Sequence, residues 1–133
     1  MFKNQYELLI SKAKEARNLA QARYSSFKVG AALLAENNEI FTGCNVESSS
    51  YGLTICAERV ALTKALSEGT SKFKAIAIYA KDGSICPPCG ACRQMLYDYA
   101  PDIDVILSDG KEEQIIKLKV LLPFAFDDSQ LGK

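Results

Sequence analysis

Two short runs bring together the residue types of a reactive centre: Thr54-Ile55-Cys56-Ala57-Glu58-Arg59 and Pro88-Cys89-Gly90-Ala91-Cys92-Arg93-Gln94. Cys56 offers one thiolate, and Cys89-x-x-Cys92 offers two more on a tight turn. Three protein ligands leave the fourth corner of a zinc tetrahedron to water, the arrangement of a catalytic rather than a structural site. Glu58 follows the first of these cysteines by two positions. In mid-helix that offset sends two side chains to opposite faces. At a helix N-terminus the first-turn side chains surround the end of the axis, so both reach an object placed there. A carboxylate beside a metal-activated water has proton transfer as its task. The pattern predicts a hydrolytic zinc enzyme.

Three thiolates make zinc a poorer Lewis acid than neutral imidazoles would. Helix N-termini stabilise thiolate charge, and Arg59 or Arg93 could donate to a sulfur and draw charge off the metal. Two blander readings compete. Cys86 could join Cys56, Cys89 and Cys92 in a closed four-cysteine staple, but that leaves Glu58 idle. A redox CxxC pair lacks the expected thioredoxin-like layout. Cys44, inside a strand, reads as core, and Cys86 as a free thiol near the site.

The chain has 133 residues, 48% hydrophobic and 24% charged, which fits one domain with its own core over 1–133. Sixteen basic and sixteen acidic side chains cancel, which disfavours a nucleic-acid partner. Met1-Phe2-Lys3-Asn4-Gln5 does not open a signal peptide, and no run is long enough to span a bilayer, so a cytoplasmic location is expected. Five cysteines, an odd number, fit metal binding in a reducing compartment better than a disulfide framework. There is no histidine at all, which removes the Ser-His-Asp triad, the Cys-His pair and the histidine-based zinc protease helix.

The elements that must hold the two runs follow from periodicity. Residues 4–21 carry Tyr6, Leu9, Ile10, Ala13 and Ala20 at helical spacing, with Asn4 as cap. Strands are expected at 27–34 and 40–46, joined as a hairpin. A helix from 55 to 68 stops at Gly69, with Ala61, Leu62, Ala65 and Leu66 inward. A doubly buried strand follows at 73–80. A helix entered through Pro87-Pro88 turns Met95, Leu96 and Tyr99 inward and ends at Pro101. Strands at 104–108 and 114–120 flank the Asp109-Gly110 turn. The order α-β-β-α-β-α-β-β predicts a three-layer αβα sandwich around a mixed five-stranded sheet, with 73–80 and 104–108 parallel.

Cys56-Ala57-Glu58 followed by Pro88-Cys89-x-x-Cys92 is the three-cysteine form of the zinc deaminase pattern. Over nearly its whole length the chain resembles the small homotetrameric cytidine deaminases. The other matching stretches are Tyr24-Ser25-x-Phe27-x-Val29-Gly30-Ala31-Ala32, Gly43-Cys44-Asn45-Val46-Glu47 and Leu121-Leu122-Pro123-x-x-Phe126. The resemblance implies one zinc ion per subunit on Cys56, Cys89 and Cys92. It implies that Glu58 carries protons from the water to N3 of cytosine and then to the leaving amine. Ala57 would hold the pyrimidine edge through its backbone, Phe27 would pack on the base, and Asn45 and Glu47 would bind the ribose. Arg59 would donate to thiolate, and Phe126 would reach a neighbouring subunit's pocket. The implied substrate is free cytidine, with deoxycytidine beside it, in pyrimidine salvage. Arg23 stands where the family often has proline, and Phe124 where it often has a small residue.

Without the resemblance, Phe27 reads as core, Asn45 and Glu47 as loop caps and surface, and Phe126 as a cover for the sheet. Three alternatives for the whole chain are a deaminase of another aminopyrimidine such as the blasticidin type, a nucleic-acid editor, and a zinc-stapled structural module. The Asn45-x-Glu47 pair speaks against the first and the neutral charge against the second. The third predicts that Glu58 is dispensable.

Overall fold

The computed structural model describes residues 4–132. The first three residues of the stretch read above for a leader lie outside that part. Helix α1 spans Gln5–Arg17, and the Asn4 side chain caps it by accepting the Glu7 amide at 3.0 Å. It ends before the expected residue 21. The Leu19 and Ala20 amides tighten onto the carbonyls of Ala16 and Arg17, at 3.0 and 3.1 Å. Gln21 is then drawn into a two-bond bridge: its amide donates to Asn45 O, and its carbonyl accepts from the Glu47 amide.

Strands β1 (Gly30–Ala35) and β2 (Ile40–Cys44) form the antiparallel hairpin. Helix α2 covers Ala57–Ser67, with Gly69 at φ +91° just beyond it. Strand β3 is Phe73–Tyr79, helix α3 Gly90–Tyr99, and strands β4 and β5 are Asp104–Ser108 and Glu113–Lys117. The sheet runs β2-β1-β3-β4-β5, with β3 and β4 parallel and every other neighbouring pair antiparallel. This is the expected mixed five-stranded sheet.

Alternation along β3 explains its dense apolar run. Ile76 and Ile78 face a core built with Ala61, Leu62, Ala65 and Leu96, from α2 and α3. Ala75 and Ala77 face a second core with Leu9, Ile10 and Ala13 of α1. Helices therefore cover both sheet faces.

Four local expectations are corrected. Phe27 to Val29 precede the ladder, because Asn45 holds them instead, its side chain on the Val29 amide and the Phe27 carbonyl and its own amide on Val29 O. The stretch 114–120 leaves the sheet after Lys117 and turns into a short helix, α4 (Leu118–Leu121). Leu118 is fully buried and its amide bonds Ile103 O at 3.1 Å, so the chain folds over the core there. Tyr99 is half exposed, since the inward stripe of α3 runs Cys92, Leu96, Ala100 at four-residue steps. Cys44 is only half-buried: on edge strand β2 it is Phe41 and Gly43 that face inward.

Candidate metal centre and cavity

Helices α2 and α3 begin alike. Cys56 caps α2 with φ −70° and ψ 154°, and Cys89 caps α3 with φ −68° and ψ 166°. An extended cap residue aims its side chain past the helix end, where free N–H groups and the positive end of the dipole lie. Cys92 follows in the first turn of α3 and is fully buried. The three sulfurs lie within 4.8 Å of one another, with Cys56 Sγ to Cys89 Sγ at 3.8 Å and Cys89 Sγ to Cys92 Sγ at 3.4 Å. Zinc–sulfur bonds of about 2.3 Å in a tetrahedron place sulfurs about 3.8 Å apart. The donor set fits zinc. Cys86 stays out of this cluster, so no closed four-cysteine staple forms among the described residues.

The arginines separate clearly. Arg59 Nη2 lies 3.7 Å from Cys56 Sγ and 3.4 Å from Thr54 O. Arg93 instead braces backbone, donating from Nε to Pro88 O at 2.9 Å and from Nη1 to Leu121 O at 3.1 Å. Of the two, Arg59 is the donor to sulfur.

Charge in the cluster is shared unequally. Hydrogen bonding with Cys92, helped by Arg59, brings the Cys56 thiol down to about 5 against the pull of burial. Cys92 is pushed up by the same hydrogen bond and by burial. The pair thus concentrates negative charge on Cys56, beside the guanidinium. Cys86 is raised to about 11 by burial and by the Glu58 charge, so its thiol stays protonated near neutrality.

Glu58 is 4% exposed, in the first turn of α2. Burial, with the Cys56 charge adding to it, raises its pKa above the ordinary carboxylate value. A carboxyl shifted in this direction is suited to holding and releasing protons near neutral pH. It lines a cavity of about 270 Å³ together with Cys56, Cys89, Ala57, Phe27, Asn45 and Glu47. The site residues expected from sequence share this hollow with three exceptions: Cys92, which is fully buried, Arg59, which reaches the Cys56 sulfur, and Phe126. Phe126 lies elsewhere, half exposed on the tail, where Gln94 Nε2 holds its carbonyl at 2.8 Å.

Asn45 and Glu47 have protein partners of their own. Asn45 Oδ1 accepts the Val29 amide at 2.9 Å, and Nδ2 donates to Phe27 O at 2.9 Å and Glu47 Oε2 at 3.4 Å. Glu47 Oε1 accepts the Tyr24 and Ser25 amides at 3.0 Å, and Oε2 accepts the Ser25 hydroxyl. These bonds, the hydroxyl's first, hold its carboxyl below the usual range. The turn in which Arg23 stands is closed by the Ser26 amide donating to Ala22 O at 2.9 Å. Ser25, Val29, Thr54 and Pro87 line the cavity too, though sequence reading does not single them out. For Thr54 the available signal is its place at the start of the first cysteine run, and for Ser25 its place in the stretch from Tyr24 to Ala32.

The model of the cytidine and deoxycytidylate deaminase zinc-binding region matches residues 3–107. A cytidine deaminase of Sporosarcina psychrophila is 45% identical over 129 residues, covering 95% of this chain and 94% of its own. One from Halalkalibacterium halodurans is 47% identical over 122 residues, 90% of this chain and 92% of its own. The crystal structure of cytidine deaminase from Burkholderia pseudomallei superposes with a TM-score of 0.87 at 43% identity, covering 95% of this chain and all of that one. With these relatives, and a three-thiol centre suited to zinc beside a buried glutamate, the chain belongs to the cytidine and deoxycytidylate deaminase zinc-binding family.

Proposed function

We propose that this chain hydrolyses the exocyclic amine of cytidine, giving uridine and ammonia. The observation that carries the reading is the meeting of buried Glu58 with the three-thiol cluster at one cavity. Cys56, Cys89 and Cys92 hold the zinc ion. When bound, zinc supplies a Lewis acid that makes a nucleophile from water near neutral pH.

Glu58 then moves the protons. Its carboxylate takes one from the attacking water and delivers it to N3 of the base. The carboxylate next takes the second proton, from the hydroxyl now on C4, and passes it to the amine as the C4–N bond breaks. The water oxygen stays on C4 as the carbonyl and the nitrogen leaves as ammonia. Burial favours the neutral carboxyl, which makes proton delivery easier. Arg59 stabilises the charge on the Cys56 sulfur, so that less of it would pass to a bound metal and the metal's acidity would be kept. Phe27 and Ala57 border the space for the base, and Asn45 and Glu47 border that for the ribose. Their mutual bonds fix both polar groups before substrate arrives, which lowers the cost of ordering them on binding. Deoxycytidine is the second substrate of this reading, tested by running it beside cytidine in the same assay.

The wider reading is a single catalytic domain that works in pyrimidine salvage as a cytoplasmic homotetramer. Free thiols at all five cysteines support a reducing compartment. Among the described residues, no helix is long and apolar enough to cross a membrane. Half-exposed Phe126 and the exposed Tyr51 and Leu53 offer apolar surface for neighbouring subunits, with Phe126 entering a neighbour's pocket. Light scattering behind a sizing column tests this: a stable monomer removes the role given to Phe126.

The first experiment is ammonia release from cytidine by the zinc-loaded chain, beside Glu58→Gln. Turnover that collapses in the variant while zinc stays bound supports both reaction and proton carrier. Surviving turnover removes Glu58 from the mechanism, and no turnover from either protein redirects the search to other aminopyrimidines or to a structural module.

A further inference from the structure

Gly43 lies in β2 opposite Ala31, on the face covered by α2. A Cβ placed there would sit 2.4 Å from Ala57 O, 2.6 Å from Ala61 N and 3.1 Å from Val60 Cβ. The first two are backbone atoms, so no side-chain rotation relieves them. Ordinary contact distances require the first turns of α2 to retreat by roughly 1 Å.

The residue that leads into that turn is also tied to the chain just beyond the same strand. Ile55 exchanges two hydrogen bonds with Val46, both 2.9 Å. Cys56, between these anchors, accepts the Arg59 and Val60 amides at 3.1 Å each. A shift of Ala57 therefore carries Cys56 and Glu58 with it. Cys89 and Cys92 take their position from a separate support, the Arg93 bridge between Pro88 O and Leu121 O. Metal–ligand distances at a zinc site fall within about 0.2 Å of their ideal values. A displacement of the order of 1 Å on one side alone exceeds that several-fold.

We propose that Gly43 is a positioning residue for the metal centre: its missing side chain sets the depth at which Cys56 meets Cys89 and Cys92. The inference rests on the reading that these three thiols hold zinc. Gly30 supplies the matched comparison. A Cβ there would meet Ala13 O at 2.0 Å and Arg17 N at 2.5 Å, both in α1 on the opposite sheet face. Gly30→Ala thus imposes an equal or worse clash, away from the thiols.

The test uses the full-length chain, with zinc affinity read by chelator competition and the thiolate charge-transfer band of the cobalt-substituted protein recorded alongside. Gly43→Ala is expected to lose roughly ten- to a hundred-fold in zinc affinity and to weaken or shift the cobalt band. Gly30→Ala, with at least as large a fall in melting temperature, is expected to keep both. Should Gly43→Ala not fold, both readouts are repeated on it in a stabilising osmolyte such as sucrose, and the same loss is expected. Unchanged zinc affinity and cobalt band in Gly43→Ala would overturn the proposal. An equal loss in Gly30→Ala would also overturn it, by making the effect one of general stability. A parent chain that binds no zinc removes the underlying reading, and the inference with it; that failure is distinct because it precedes any substitution.

Discussion

The two faces of the sheet are built with the same device and put it to different use. On one, α1 presses onto Gly30 near its C-terminal end, at Ala13 and Arg17. On the other, α2 presses onto Gly43 with its first turns, at Ala57 and Ala61. A helix start held against a sheet places free N–H groups and first-turn side chains, whereas the last turn of α1 places no residue of the site and adds only buried area. Close approach on the α1 face therefore contributes stability through Leu9, Ala13, Leu34 and Ile106. On the α2 and α3 face it contributes geometry as well, because two helix starts converge on one cavity.

Glu58→Gln against Leu9→Ala should show the contrast at its largest. Glu58→Gln is expected to lower kcat by about 10²–10⁴-fold, with zinc retained and the melting temperature held or raised, since a desolvated carboxyl is replaced. Leu9, fully buried, should behave oppositely. Leu9→Ala is expected to cost about 2–5 kcal/mol of stability with turnover per folded molecule unchanged. Urea titration and initial rates on the same samples check both. A large fall in kcat for Leu9→Ala at full folding would break the comparison.

A smaller effect separates the two helix starts themselves. Arg59 touches a sulfur while Arg93 touches only carbonyls among its observed partners. Arg59→Ala should weaken zinc binding roughly ten- to a hundred-fold. Arg93→Ala leaves two carbonyls short of a donor, so it should cost about 1–3 kcal/mol of stability with a lesser change in metal affinity. Chelator competition read beside urea titration distinguishes them. Equal effects on zinc would mean that the Arg93 bridge matters as much to the thiols as direct charge does.

What was legible in the sequence follows the range of the forces involved. The thiols and Glu58 are readable because their spacing within two turns already dictates a shared metal. Strand β4 falls at its expected bounds, between Pro101 and the Asp109-Gly110 turn. Arg93 could not be assigned, since its partner carbonyl belongs to Leu121, 28 positions on. The end of β5 was hidden for a similar reason: alternation continues through Val120, but Leu118 gains more by entering the core than by extending the ladder. Asn45 and Glu47 were legible as a pair but not as partners of the 24–29 backbone, which depends on how the hairpin and the preceding turn pack.

The smallest effect belongs to the polar edge of the α1 face. Tyr6 donates to Asp104 Oδ2 at 2.6 Å, and Lys117 Nζ pairs with Asp104 Oδ1 at 2.8 Å. Burial first, then the Asp104 hydrogen bond and charge, raise the Tyr6 phenol from 10.0 to about 12. Below pH 10 the phenol is protonated in folded and unfolded chain alike, and its contribution is complete. Between pH 10 and about 12 the unfolded chain releases the proton while the folded chain keeps it, so stability falls as pH rises. Tyr6→Phe should make that alkaline fall shallower. The acid side moves as well: Lys117, then Tyr6, hold the Asp104 carboxyl below its ordinary value, a contribution present above that value and lost on acidification. Losing the phenol donor should therefore also flatten the acid limb. Urea titrations from pH 3 to 11 measure both limbs, and cytidine turnover at neutral pH should stay at the parent rate. A changed rate in Tyr6→Phe would show that the α1 face reaches the chemistry through β4, and the division of labour between the faces would have to be redrawn.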